Sequence, residues 1–467
     1  MYRPGNVLRG TPARAGLAAA RPQSAAERQY SLLFAGLLWV LILYSAIPLD
    51  IFNTNTNTDP TVMSELQMAV PNPVSRAIKL SLLAIAMMMI LWRRSVAMKL
   101  LKTLNPMFRV FMVLAPLSLV WSIDPGATFA RYVTLFSMVT VCFAFGLGGW
   151  HAHRFQSVLR PVLTLILLGS LIYGIVSPEL AIDLKEGSLK GSWHGLMIQK
   201  NQFGQAGSFG VLLWLHAFMT RQTKILYSVF GGAVSAACLF LSRSQTSLLA
   251  TVFASVLMVM MFGISSSLRR YVPYIVATFA TVVIIYALAV LKIVPGLDVV
   301  LRPITVITGK DMTFSNRSEI WLIVKEHIQL SPFIGTGYGA YWVGPLPTSP
   351  SFVFLSRMYF YPTESHNGYL EMVNDLGFIG LIVLLGYLFV YVRQSLQLLR
   401  IDRPQAALFL SLFFQQLIIN LSETAWLSTT GAFTTAVMTC ATVSLARSLL
   451  DSRRQNLPAA RPRRVRA

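Results

Sequence analysis

Long apolar runs separated by short polar gaps dominate this chain. Runs able to span about 30 Å of hydrocarbon fall near 30–49, 74–92, 108–122, 127–148, 161–177, 201–219, 225–241, 245–264, 271–292, 368–392, 405–421 and 430–446. They predict an all-α polytopic membrane protein with about twelve transmembrane helices, the third and fifth being the shortest. One polar stretch is much longer than the other gaps and separates the ninth run from the tenth. A connection of that length is usually functional or disordered. This one carries Trp321, Tyr338, Tyr341, Trp342, Phe352, Phe354, Tyr359 and Tyr361, which suit packing on a membrane surface.

Positive charge orients the runs. Arg3, Arg9, Arg14, Arg21 and Arg28 place the N-terminus in the cytoplasm, whereas 49–73 holds no Lys or Arg and belongs outside. Arg93, Arg94, Lys99, Lys102 and Arg109 return to the inside. So do Arg154 and Arg160, Arg221 and Lys224, Arg269 and Arg270, and Arg393, Arg400 and Arg403, followed by the basic tail from Arg447 to Arg466. Both termini are therefore expected inside, with the long loop on the periplasmic side. The chain divides into a disordered basic tail over 1–29, helices one to nine over 30–292, the loop over 293–366, helices ten to twelve over 367–446, and a second disordered basic tail over 447–467. The first tail is too long and too rich in arginine for a cleaved signal peptide. Within the loop, Asn316-Arg-Ser-Glu319 reads as a capping box. It opens an amphipathic helix with Ile320, Trp321, Val324 and Ile328 on one face, expected to lie along the interface.

Composition agrees with a membrane solvent. The 467 residues are 55% hydrophobic and 12% charged, with mean hydropathy +0.60. The net charge of +21 would suit nucleic acid, but its confinement to tails and gaps assigns it to topology instead. Cys142, Cys238 and Cys440 lie inside apolar runs and read as small buried hydrophobes. No metal-ligand spacing is present, so neither a metal nor a cofactor is expected.

Most spans carry no acid in their central portions, which counts against an ion-coupled transporter. Chemistry is expected at the outer boundary. Four basic residues stand there at helix starts: Lys200 beside Asn201, Arg243, Arg317 and His366 beside Asn367. Helix N-termini favour anions. Each residue also has a plainer reading. His366 could be an interfacial histidine bonded to the loop, Arg243 and Lys200 could be snorkelling side chains, and Arg317 could pair with Glu319 or Asp311. Glu371 and Asn374 could be polar packing or could orient His366, and Gly377 and Gly380 read as small residues for close helix packing. Together, one imidazole and several fixed cations suit transfer from a lipid-linked pyrophosphate. The cations stabilise the leaving group, and the imidazole takes the proton of an attacking sugar hydroxyl.

The spacing of His366-Asn367 from Gly377-Phe-Ile-Gly380 resembles the signature of the O-antigen ligase and polymerase family. So, in order, do Lys200-Asn-Gln-Phe-Gly204, Ser242-Arg-Ser-Gln-Thr246, Asn316-Arg-Ser-Glu-Ile-Trp321, Gly335-Thr-Gly-Tyr-Gly339 and Asn420-Leu-Ser-Glu423. Trp121-Ser-Ile-Asp-Pro-Gly126 is most similar to the exopolysaccharide polymerase branch. The resemblance covers roughly 110–445. It implies a GT-C-like glycosyltransferase of the bacterial inner membrane, metal-independent and inverting, with its site at the periplasmic face. The donor would be an undecaprenyl-pyrophosphate-linked oligosaccharide, and membrane lipid, chain-length regulators and export proteins would be partners. His366 would be the base, while Arg243 and Arg317, with Lys200, would hold the pyrophosphate. Asn201, Glu319, Asn367 and Glu371 would support them. The histidine common before the Lys-Asn pair is replaced by Gln199. A polymerase of lipid-linked repeats fits best, with a ligase to lipid A-core or protein, or a flippase of lipid-linked sugars, as alternatives.

Overall fold

The computed structural model describes residues 25–48, 73–184, 190–263, 268–290, 317–344, 347, 349–358 and 361–455. Residues 1–24 of the expected N-terminal tail, 456–467 of the C-terminal one, Asn316, Tyr359 and the loop up to 316 lie outside these, whereas 25–29 and 447–455, expected in the disordered tails, are helical. Regular structure among the described residues is helical, apart from one isolated antiparallel bridge between Ile182 and Trp193.

The first half contains α1 (Ala25–Ala46), α2 (Pro73–Trp92), α3 (Arg94–Thr103), α4 (Pro106–Leu117), α5 (Pro125–Phe145) and α6 (Arg154–Val176). Then come α7 (Lys200–Thr220), α8 (Ile225–Leu241), α9 (Gln245–Gly263) and α10 (Val272–Val290). The long loop supplies α11 (Arg317–Ile328), and the chain closes with α12 (Gly368–Leu399), α13 (Arg403–Ile419) and α14 (Ala432–Gln455). Each of the twelve apolar stretches thus holds a helix. Seven are long and apolar enough to cross a membrane, or eight if the pair Arg94–Thr103 and Pro106–Val120, bent by 101°, forms one span. That bend is why the third run looked short. The molecule is a multi-pass membrane protein.

Helix starts follow local chemistry. Asn105, Asp124 and Asp402 cap α4, α5 and α13, their side chains accepting from free N–H groups of the first turn, each with a proline at the opening. The helix of the fifth apolar run, α6, begins at Arg154 rather than near 161, so Arg154 and Arg160 lie inside it and are buried. Arg154 donates to the carbonyls of Ser31 and Gly149 and stacks over Phe145; Arg160 stacks over Trp214. These contacts replace the hydration that a gap position would have offered.

The main core gathers around α14, which packs against α1, α3, α5 and α12. The three cysteines are buried and free, as expected. The loop departs from expectation. Ile320, Trp321 and Val324 of α11 face Tyr341, Trp342, Phe354 and Leu370 in a second core. The loop aromatics therefore pack on one another and on α12 rather than turning outward as a group.

A backbone break in α12 fixes this loop. Gly377 has φ 63° and ψ −165°, a region open essentially to glycine alone. The freed amides of Phe378 and Ile379 donate to the carbonyls of Pro332 and Phe333 at 2.8 and 3.2 Å. In return, Thr336 and Gly337 donate to the carbonyls of Asn374 and Asp375 at 3.1 and 2.9 Å. Ile123 donates to the Thr336 carbonyl and the Trp121 indole to that of Ile334, so the Trp121–Gly126 motif docks on the same loop. A side chain at Gly377 would strike the Phe333 backbone, and one at Gly380 would strike Leu376 of its own helix. Neither glycine makes room for a neighbouring helix, contrary to expectation; together they accommodate the break.

Candidate active site at the start of α12

Asn367 is the N-cap of α12. Its Oδ1 accepts from the amides of Tyr369 and Leu370 at 3.1 and 3.0 Å, and its Nδ2 donates to the Leu421 carbonyl at 3.0 Å. The amide of Gly368 donates to the carbonyls of Asn420 and Glu423. A Cβ at Gly368 would collide with the Asn420 side chain. From inside the helix, the Glu371 carboxylate accepts from the Ser365 amide at 2.9 Å. Held on both sides, His366 adopts φ 52°, a left-handed conformation that a residue with a Cβ takes only under constraint.

This docking brings the Asn420–Glu423 turn against the imidazole. His366 Nδ1 lies 3.1 Å from Glu364 Oε1 and 3.6 Å from Glu423 Oε2. Both contacts are at ion-pair distance without hydrogen-bond alignment, and no partner binds Nε2 among the described residues. Glu423 Oε1 accepts from Arg317 at 2.6 Å and from Asn201 Nδ2 at 2.7 Å. One carboxylate therefore joins α7, α11 and the start of α12. Lys200, half-buried, has Asp183, Arg317, Arg243 and Glu423 as its electrostatic neighbours. Arg243 also has a left-handed φ of 50° and donates to the Lys190 carbonyl at 2.8 Å.

The charges set the protonation states. Burial alone would lower the His366 pKa, but Glu364 and Glu423 outweigh it and push it up to about 10. Burial works to raise the Glu423 pKa, yet Arg317 and His366 hold it below the usual carboxylate value. At neutral pH His366 is held as an imidazolium, and the Glu423 carboxylate lies between it and the Arg317 guanidinium. One ligand atom each from Glu364, His366 and Glu423 falls within 4.8 Å of the others, a grouping able to hold a metal ion. Arg317 would compete with such an ion for Glu423. Nearby, Asn420 Nδ2, Thr424 Oγ1 and Trp426 Nε1 are buried and without a protein partner among the described residues. Such groups are rare in interiors.

Of the residues singled out from sequence, His366, Arg317 and Asn201 meet directly at the Glu423 carboxylate, and Asn367 caps α12 beside them and donates to the Leu421 carbonyl. Lys200 lies within their field; Arg243 is a like-charged neighbour of Lys200 and makes no hydrogen bond or ion pair with the cluster among the described residues. Glu371 orders the Ser365 turn from beneath. Glu319 is exposed on the first turn of α11 and makes none of these contacts; Arg317 pairs with Glu423, not with Glu319. Glu423 entered from sequence only as the end of the Asn420-Leu-Ser-Glu423 motif, and Glu364 and Asp183 did not enter at all. The available signal was scarcity: with 18 acids against 39 bases, an acid two residues before the histidine stands out.

The comparisons bear out the family resemblance. The sequence model described as O-Antigen ligase matches residues 230–385, a stretch that includes Arg243, Arg317 and His366. The chain is 29% identical over 287 residues to the exopolysaccharide production protein ExoQ of Rhizobium meliloti (strain 1021), covering 59% of this chain. It spans 61% of that relative's length.

Proposed function

We propose, from kinship with the O-antigen ligase and polymerase family, that this chain is a polysaccharide polymerase. It would extend a glycan carried on undecaprenyl pyrophosphate by transfer to a sugar hydroxyl. The observation that carries the reading is the meeting of His366 with Arg317 through Glu423, which sets a proton-handling group beside an anion-binding one. We place the site at the periplasmic face of the inner membrane, with both termini inside and about twelve spans in a GT-C-like arrangement. The charge pattern along the sequence supports that orientation.

In the proposed step, the acceptor oxygen bonds to the anomeric carbon as the bond from that carbon to the pyrophosphate oxygen breaks, inverting the centre. The leaving oxygen takes the electron pair, and its growing charge faces Arg317, Arg243 and Lys200. The hydroxyl proton goes to Glu364, His366 and Glu423 acting as one unit. At neutral pH this unit already shares one proton. In the fraction of the protein that has released this proton, Nδ1–H stays against the carboxylates and Nε2 is free to accept the hydroxyl proton. A second reading is favoured by the raised His366 pKa: the imidazolium steadies the pyrophosphate and Glu364 is the base. The two differ in pH dependence. A unit acting as base gives a rate that rises toward pH 10, whereas a required imidazolium gives a rate that falls there.

The acceptor separates polymerase from ligase. A deletion strain losing secreted polymer while keeping intact lipopolysaccharide supports the polymerase. Finished polymer accumulating on undecaprenyl pyrophosphate would instead make the chain a ligase.

A further inference from the structure

At the opposite end of α12 from His366, a cavity of about 220 Å³ opens where the bend between α3 and α4 meets that helix and α14. Lys102, Arg109 and Arg393 line it, and no acidic residue does. None of the three cations has an ion-pair partner among the described residues. Gln394 forms part of the wall. It is 8% exposed, its Nε2 donates to the Thr103 carbonyl at 2.9 Å, and its Oε1 is left without a partner.

A second cavity, of about 390 Å³, shares Arg393 and Gln397 with the first and has a different lining. Phe389, Val392 and Leu396 of α12 face Pro273 across it, with Arg400 the other charged residue. Phe389 is 69% exposed, which suits contact with hydrocarbon. A polar chamber rich in positive charge thus adjoins an apolar one across Arg393 and Gln397.

We propose that these two chambers bind one anionic glycerophospholipid of the surrounding bilayer, with phosphatidylglycerol the best match. The phosphate sits among Lys102, Arg109 and Arg393. A headgroup hydroxyl donates to Gln394 Oε1, which a choline headgroup cannot do. The acyl chains lie along Phe389, Val392 and Leu396. A soluble anion would use only the basic chamber, and the adjoining apolar chamber selects a lipid. On the proposed orientation the site belongs to the cytoplasmic leaflet, but its chemistry does not depend on the transfer reaction.

The test uses the full chain purified in mild detergent, read by native mass spectrometry and thermal unfolding. Phosphatidylglycerol is expected to be retained over phosphatidylcholine from an equimolar mixture and to raise the melting temperature; glycerol 3-phosphate is expected to do neither. The double variant Arg109→Gln/Arg393→Gln is expected to weaken phosphatidylglycerol binding roughly thirty-fold, and Gln394→Ala to erase the preference for it over a methyl-capped phosphatidic acid. Equal retention of the two lipids by the wild-type protein overturns the proposal, and this holds whether or not the variants fold. An equal melting shift from glycerol 3-phosphate overturns it too, as does unchanged affinity in a folded double variant.

Discussion

At the start of α12 the residue forced into a left-handed conformation is His366, with φ 52°; at the break further along it is Gly377, with φ 63°. Around Gly377 the interruption is met by backbone pairing, the loop at 332–337 returning bonds to both sides of the break. Around His366 the constraint is met by side-chain charge. Two carboxylates, a guanidinium and an amide converge there, whereas buried polar atoms without a partner occur beside both places. Glycine relieves strain where shape alone is needed. A strained histidine held among buried charges is a cost that folding does not explain, and such costs cluster at functional sites. The Gly377 region is the frame, and the His366 region is what it holds in place.

Substitutions should separate the two. The largest expected effect is on activity. His366→Ala and Arg317→Ala should each cut polymer formation by at least about a hundredfold while the protein still reaches the membrane, read from polysaccharide chain length and immunoblots of membrane fractions. Glu423→Gln should follow closely, because it releases Arg317 and removes one carboxylate from His366. Normal polymer from any of these would mean that the strained start of α12 is structural rather than functional. Gly377→Ala should act on the frame instead. Its φ and ψ exclude a Cβ and the Phe333 backbone stands in the way, so a loss of about 3 kcal/mol or more is expected. Thermal unfolding of purified protein measures it.

A smaller effect tests the charges themselves. The folded His366 pKa lies near 10 against an ordinary 6.5, so its ion pairs contribute fully below pH 6.5 and fade as pH rises toward 10. The depressed Glu423 pKa contributes above its ordinary value of 4.5 and is lost as pH falls through the folded one. The stability gap between wild type and His366→Gln should therefore be widest between about pH 4.5 and 6.5 and close by about pH 10. Melting curves across that range decide it; a gap that widens with rising pH would mean that His366 is neutral. The smallest expected effect is that of Glu319→Gln, under about 0.5 kcal/mol and without loss of polymer.

Much of this frame was legible in the sequence because apolar periodicity acts locally. The runs at 108–122, 127–148 and 368–392 each hold a helix, although the caps Asn105 and Asp124 that open the first two a few residues earlier were not among the expected ones. The bend between α3 and α4 was not legible, because hydropathy records length rather than direction. Nor was the burial of Arg154 and Arg160, whose partners Ser31 and Trp214 lie far off in sequence. The site was legible in its cations and its histidine. It was not legible in Glu423, which acquires meaning only when the turn after α13 docks on Gly368. The glycines were visible as a motif, but their task at Gly377 depends on Phe333, which local pattern does not reveal.

On the proposed function, His366 and Arg317 form one site acting on a lipid-linked pyrophosphate glycan. The most direct measurement is transfer by purified protein in proteoliposomes carrying an undecaprenyl-pyrophosphate-linked repeat, following glycan length and released undecaprenyl pyrophosphate together. Wild type should lengthen the glycan and release the pyrophosphate lipid in proportion, and folded His366→Gln and Arg317→Gln should do neither. Lengthening at the wild-type rate by either variant would contradict the account.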